Sequence, residues 1–249
     1  IETGGYLFRT CFKDSYQGEI AAKFAAEDLK VKKVAVLYGT GDPYSSGVGK
    51  AFVNAAKKAG LEVVAEENSS SADDTEYSSQ LQKVQAAGAE FLYAPYYYSA
   101  AGPYIIPQAR SIGYNGYIMG PDGYDGLQIT GSKTRYNKVL YTTHYSPDDT
   151  SNKKVQKFIT SYKKANNGAT PNTFTALGYD SVYMFKQAIE KAGANASRAD
   201  IRKAIYGMSF SGVTGEFTLD SQGSPKKSVI VLEMKNGKPT YRSTIEPAK

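Results

Sequence analysis

The sequence predicts an α/β protein whose parallel sheet is covered by helices on both faces. Three observations carry that expectation. Val34 to Tyr38 is an unbroken apolar run, the pattern of a strand buried on both sides. Short apolar runs then alternate with amphipathic stretches of helical period through the first two thirds of the chain. The chain has 249 residues, 41% of them hydrophobic and 22% charged, an ordinary globular balance with enough length to bury a sizeable core.

Element by element, the expectations run as follows. Gln17 to Leu29 reads as a helix with Ile20, Phe24 and several alanines on one side. Gly39 to Gly47 is a turn-rich loop, and Val48 to Ala59 is a helix stopped by Gly60. Leu61 to Ala65 is the next strand, Thr75 to Ala87 a helix ending at Gly88, and Glu90 to Ala94 a third strand. A helix over Ala100 to Ile112 is interrupted by Pro103 and Pro107. Tyr117 to Met119 and Val139 to Thr143 give the fourth and fifth strands.

The character changes after His144. Tyr145 to Asp149 reads as a linker rich in turn formers. Val155, Phe158, Ile159 and Tyr162 form an apolar helical stripe, and Phe174 to Ala192 and Ser197 to Tyr206 are further helices, the last with Ser197 as N-cap. A two-residue period returns over Val213 to Leu219, Ser228 to Glu233 and Thr240 to Ile245, with Asn236-Gly237 as a hairpin turn. The division expected is one α/β lobe from residues 1–143 and 213–249, and a helical segment over 144–212 that has no strands of its own.

Composition removes several function classes. No run approaches the ~18 apolar residues of a membrane helix. The opening residues lack a basic region and an apolar stretch, so no signal peptide is expected at this end. One cysteine excludes a disulfide framework, and one histidine excludes paired-histidine metal chemistry. A net charge of +6 with no long basic run argues against nucleic acid as a partner. Gly39-Thr40-Gly41 follows a strand, but Tyr44 stands where a dinucleotide loop needs its third glycine, and the same residue breaks a phosphate loop ending at Gly49-Lys50. His144 has no nucleophile elbow, Cys11 reads as a packing residue, and neither Asp73-Asp74 nor Asp148-Asp149 has metal-loop spacing. No cofactor and no catalysis are expected.

The aromatic content points the other way, with 21 tyrosines, 10 phenylalanines and no tryptophan. Tyr44 follows the first strand, Tyr96-Tyr97-Tyr98 follow the third, and Asp122 follows the fourth within Gly120-Pro121-Asp122-Gly123. Three strand ends would thus bring aromatic faces and one carboxylate to the sheet edge where open α/β sheets bind ligands. That set suits an ammonium-bearing ligand, through an ion pair and cation–π contact.

The residues also resemble a known family. Phe8 to Gly18, Val34 to Tyr38, Asp42 to Gly47, Tyr97-Tyr98, Gln108 to Arg110, Gly120 to Gly123, Thr142 to Tyr145, Ala176 to Asp180, Gly212 to Gly215 and Asp220 to Gly223 together resemble the branched-chain amino-acid-binding proteins. These are type I periplasmic solute-binding proteins of ABC importers, with flavodoxin-like or Rossmann-like lobes. The resemblance runs over essentially the whole chain. It implies two lobes joined by three hinge strands and closing on a ligand. It also implies Asp122 as the carboxylate for the ligand's ammonium, Tyr44 and Tyr97 lining one lobe, and Phe174 reaching in from the other. The segment up to Gln108 carries one extra residue beside Gly102-Pro103, so Tyr98 is the alternative to Tyr97.

The implied function is capture of an amino acid, branched-chain or similar, outside the cytoplasm (periplasmic, secreted or lipid-anchored) and its delivery to the permease subunits of an ABC transporter. Family members begin with a longer segment that builds the first lobe's sheet, so a missing N-terminal lobe segment is expected as a further partner of the helices. The alternatives are a type I ligand-sensing receptor domain and a flavodoxin-like nucleotide-dependent enzyme.

Overall fold

The computed structural model describes residues 5–149 and 152–247. The chain divides into two compact units, one comprising Asp14–Thr143 and Val231–Ser243, the other Ile1–Lys13, His144–Ile230 and Thr244–Lys249. Each is described by itself.

The sheet unit contains helices α1 (Asp14–Glu27), α2 (Pro43–Lys58) and α3 (Ser78–Ala86), with strands β1 (Lys33–Gly39), β2 (Glu62–Ser69), β3 (Phe91–Tyr93), β4 (Tyr117–Gly120) and β5 (Val139–Thr143). Its sheet runs β10-β9-β5-β4-β3-β1-β2, where β9 is Val229–Lys235 and β10 is Lys238–Ile245. The β1–β2, β1–β3, β3–β4 and β4–β5 pairs are all parallel. Strands one to five therefore stand in the order 2-1-3-4-5, the flavodoxin-like arrangement, whose direction of winding reverses between β1 and β3. Val34 to Leu37, Phe91 to Ala94 and Ile118-Met119 are all fully buried, as continuous apolar runs in a two-sided parallel sheet must be. Phe52 of α2 stacks on Phe91 at 5.8 Å and on Tyr93 at 4.7 Å between ring centroids.

Among the departures from the expectation, two have clear local reasons. Helix α2 begins at Pro43, five residues before Val48, because Asp42 caps it by accepting from Ser45 N at 2.6 Å and Pro43 is pre-set for a first helical turn. The helix after β3 is not broken by its prolines. It runs as α4 (Tyr98–Ala100), a π-turn over Ala101–Ile105 and α5 (Ile106–Ser111). A π-turn fits one more residue into a helical turn. Tyr136 Oη donates to Gly102 O at 2.7 Å, tying the following loop to this turn.

The helical unit contains α6 (Lys153–Ala165), α7 (Thr173–Ala192) and α8 (Arg198–Tyr206), and the antiparallel strands β6 (Phe210–Gly212), β7 (Gly215–Leu219) and β8 (Pro225–Lys226). The expected boundary at residue 213 is thus not where the compact units part. Phe210 and Phe217 pack with Met184, Ala188, Ala204, Ile205 and Met208, so the helices have a small sheet of their own. The strand expected over Val213 to Leu219 is a hairpin turn followed by β7. Asp180 of α7 fixes that turn, accepting from Val213 N at 2.9 Å, Thr214 N at 2.8 Å and Thr214 Oγ1 at 2.6 Å. The buried Lys227 ammonium also donates to Thr214 Oγ1, at 3.0 Å.

The stretch read as a linker is core. Tyr145 and Ser146 are buried, and Tyr145 shares a cluster with Val155, Phe158, Ile159, Ala176 and Val213 while donating to Pro171 O. His144 is buried with its ring stacked on Phe12 at 3.8 Å between centroids. Ser197 caps α8 in a reciprocal capping box with Asp200. Asn236 and Gly237 both take positive φ, 51° and 74°, the backbone a two-residue I′ hairpin demands.

Candidate functional site

The sheet unit gathers a polar site where its strands end and its winding reverses. The turn after β1 opens α2 at Pro43-Tyr44, the turn after β3 carries Tyr96 to Tyr98, and the turn after β4 is a 3-10 turn over Asp122–Tyr124. Tyr44 and Tyr97 stack with ring centroids 5.2 Å apart and planes at 22°. Tyr44 Oη donates to Asp122 Oδ1 at 2.8 Å and accepts from Gly123 N at 3.2 Å. Gly123 is sterically required there, since a Cβ would lie 2.9 Å from Tyr96 O and 3.2 Å from Tyr44 Oη.

The tyrosine run separates by role. Tyr96 is fully buried, hydrogen-bonded to Ser69 Oγ at 2.8 Å and packed edge-on against Tyr77. Tyr97 is half-buried on Tyr44, and Tyr98 is 41% exposed in the first turn of α4. The geometry therefore sets Tyr97, not Tyr98, beside Tyr44 and Asp122. Phe174, named by the resemblance, belongs to the helical unit, where it is 48% exposed in the first turn of α7.

Asp122 is only 8% exposed, and its surroundings are built to hold a carboxylate. Besides Tyr44, Oδ1 accepts from Gln17 Nε2 at 2.9 Å. Gln17 Oε1 in turn accepts from Asp122 N at 2.8 Å and from Thr142 Oγ1 at 2.7 Å. Gln17 is fully buried in α1, and sequence reasoning missed it. Its signal was present, since it falls inside the Phe8 to Gly18 motif, yet an amide on a helix face carries no chemistry until its partners from β4 and β5 are known. Burial pushes the Tyr44 phenol well above its usual ionisation range, and the neighbouring Asp122 charge pushes it further. Burial also raises Tyr93, beneath the site, and Tyr97. All three therefore stay protonated at neutral pH, and Tyr44 remains a donor to the carboxylate. Among the described residues no group of three or more histidine, cysteine or acidic side chains could hold a metal ion.

A buried carboxylate bonded to the first of two stacked phenol rings lies at the reversal point of a 2-1-3-4-5 sheet, the place where open α/β sheets bind ligands. The comparisons give the family. The profile for periplasmic binding proteins matches residues 2–239, and the chain belongs to that family. It is 30% identical over 201 residues to a Leu/Ile/Val-binding protein homologue of Brucella melitensis, covering 80% of this chain and 53% of that one. It is 28% identical over 231 residues to a leucine-, isoleucine-, valine-, threonine- and alanine-binding protein of Pseudomonas aeruginosa, covering 91% of this chain and 60% of that one. Among solved structures, a leucine-binding protein of Thermotoga maritima superposes with a TM-score of 0.86 at 33% identity, covering 99% of this chain and 69% of that one. A branched-chain amino acid transporter substrate-binding protein of Streptococcus pneumoniae, solved with isoleucine, superposes with a TM-score of 0.85 at 30% identity, covering 98% of this chain and 68% of that one. This chain spans 53% and 60% of the length of the two curated relatives. No helix among the described residues is long and apolar enough to cross a membrane.

Proposed function

We propose that this chain takes part in capturing an amino acid with a branched or similar apolar side chain outside the cytoplasm and in delivering it to an ABC importer, without chemical change to the ligand. The observation that carries the reading is Asp122, a buried carboxylate bonded by the hydroxyl of Tyr44, whose ring stacks on Tyr97. An α-ammonium meets there a fixed negative charge, and two aromatic faces add cation–π attraction. The relatives' names, one giving leucine, isoleucine and valine and the other adding threonine and alanine, support an amino-acid ligand of that class. The reading also assigns the half-exposed face of α7, where Val182, Phe185 and Ile189 stand together, to a lobe segment within the length by which the relatives exceed this chain.

Calorimetric titration with L-leucine tests the site. Asp122→Asn is expected to weaken binding by about 2–5 kcal/mol, because the ligand's buried ammonium loses its charged partner. Tyr44→Ala is expected to weaken it by about 1 kcal/mol or somewhat more through the lost ring face. Unchanged affinity in Asp122→Asn removes the carboxylate from the site.

A further inference from the structure

Gln17 is the residue at this sheet edge that the proposed function leaves without a task. It is fully buried, yet its side chain makes three hydrogen bonds to groups from two other elements. Their pattern fixes the amide's orientation. Asp122 N can only donate, so the atom facing it at 2.8 Å is the amide oxygen. The Thr142 hydroxyl donates to the same oxygen. The amide nitrogen is thereby turned onto Asp122 Oδ1, where Tyr44 Oη already donates. A carboxylate oxygen that receives two donors is stabilised in its ionised form and cannot turn without breaking both bonds.

We propose that Gln17 is the positioning residue of the binding carboxylate: from a buried place on α1 it holds Asp122 ionised and in one orientation, without touching the ligand. The inference rests on the reading of Asp122 given above. Thr142, at the end of β5, sets the amide, the amide sets the carboxylate, and the carboxylate meets the ligand. The ionisable groups coupled to Asp122 include Tyr44 from α2, Tyr93 from β3 and Tyr97 from the turn after it, and burial raises all three phenols. These phenols are neutral through the acid and neutral range, and the carboxylates Asp14, Asp42 and Asp73 that also act on Tyr97 are the same in parent and variant, so a difference in the Asp122 titration between the two reports on Gln17.

Two readouts test this on the 249-residue chain. One is the titration of the Asp122 carboxyl carbon by NMR, and the other is L-leucine affinity by calorimetry from about pH 5 to about pH 8. Gln17→Met keeps the side-chain length and removes the donor. It is expected to move the Asp122 titration to higher pH and to weaken leucine binding at neutral pH about tenfold. Gln17→Glu sharpens the test, because a protonated glutamic acid presents the amide's own arrangement of one donor and one acceptor. It is expected to bind leucine like the parent at the acid end and to lose affinity as pH rises and the shared proton leaves. If Gln17→Met folds and moves neither readout, the residue only fills space and the proposal falls. If Gln17→Met does not fold, Gln17→Glu decides alone, and a pH-independent affinity overturns the proposal. If Asp122→Asn leaves leucine binding intact while Gln17→Met still shifts the Asp122 titration, positioning stands and the ligand reading fails.

Discussion

The two compact units set helices against a sheet in both cases, yet they differ in how completely the helices are covered. In the sheet unit the five parallel strands bury Val34 to Leu37 and Phe91 to Tyr93 completely, and Phe52 and Val48 of α2 are equally hidden. In the helical unit the three short strands cover only one side of α7. Val182 stays 68% exposed, Phe185 44% and Ile189 48%, all on a helix of 20 residues. The lesson is one of area. A broad sheet offers a surface as wide as a helix needs, whereas strands of three, five and two residues do not.

The largest test of that contrast deletes one core ring from each unit. Phe52→Ala removes a ring stacked on two others inside the sheet unit and is expected to cost about 4 kcal/mol. Phe158→Ala, whose ring touches the partly exposed Tyr162 and Tyr179, is expected to cost less, near 3 kcal/mol, because open neighbours collapse more readily. Guanidinium denaturation followed by hydrogen exchange in each unit measures both. A larger loss for Phe158→Ala breaks the comparison.

Acid should reach both units by the same route. Glu90 of the sheet unit accepts from Lys33 N and Lys32 N, and these bonds hold its carboxyl below the usual 4.5. Asp200 of the helical unit is held below the usual 3.8 by the Ser197 hydroxyl and backbone. With folded values lowered, the unfolded chain binds protons more readily. The stabilisation is thus complete above the usual values and is lost as pH falls through the lowered ones. The thermal midpoint should decline on acidification below about pH 4.5, and Glu90→Gln should flatten that decline for the sheet unit alone. An equal flattening in both units contradicts the local origin.

The smallest effect is expected on the uncovered face. Val182→Lys in this chain should change stability by less than about 0.5 kcal/mol, because the side chain already stands in solvent. A loss well beyond that, read by the same denaturation, would mean that α7 is covered after all.

The sequence by itself determined the parallel α/β class, because unbroken runs such as Val34 to Tyr38 have no stable place except inside a two-sided sheet. It also determined the order of strand ends that brings Tyr44, Tyr97 and Asp122 together, because parallel strands joined by right-handed crossovers put alternate turns on one edge. The Asn236-Gly237 hairpin was legible because its backbone demand is local. Only the tertiary structure decided which of Tyr97 and Tyr98 faces the site. That choice depends on the ring of Tyr44, 53 residues earlier in the chain, on which Tyr97 stacks while Tyr98 stands in solvent, and no periodicity reveals it. The fold likewise made Tyr145 core rather than linker, and it closed the turn at Val213-Thr214 through Asp180, 33 residues away in the chain. Gln17 was beyond sequence reasoning for the same reason. An amide gains meaning from the donors and acceptors that surround it, and here these come from Asp122 in the turn after β4 and Thr142 of β5, each more than a hundred residues from Gln17 in the chain. Local patterns fix what each segment becomes, and long-range contacts fix what each polar side chain does.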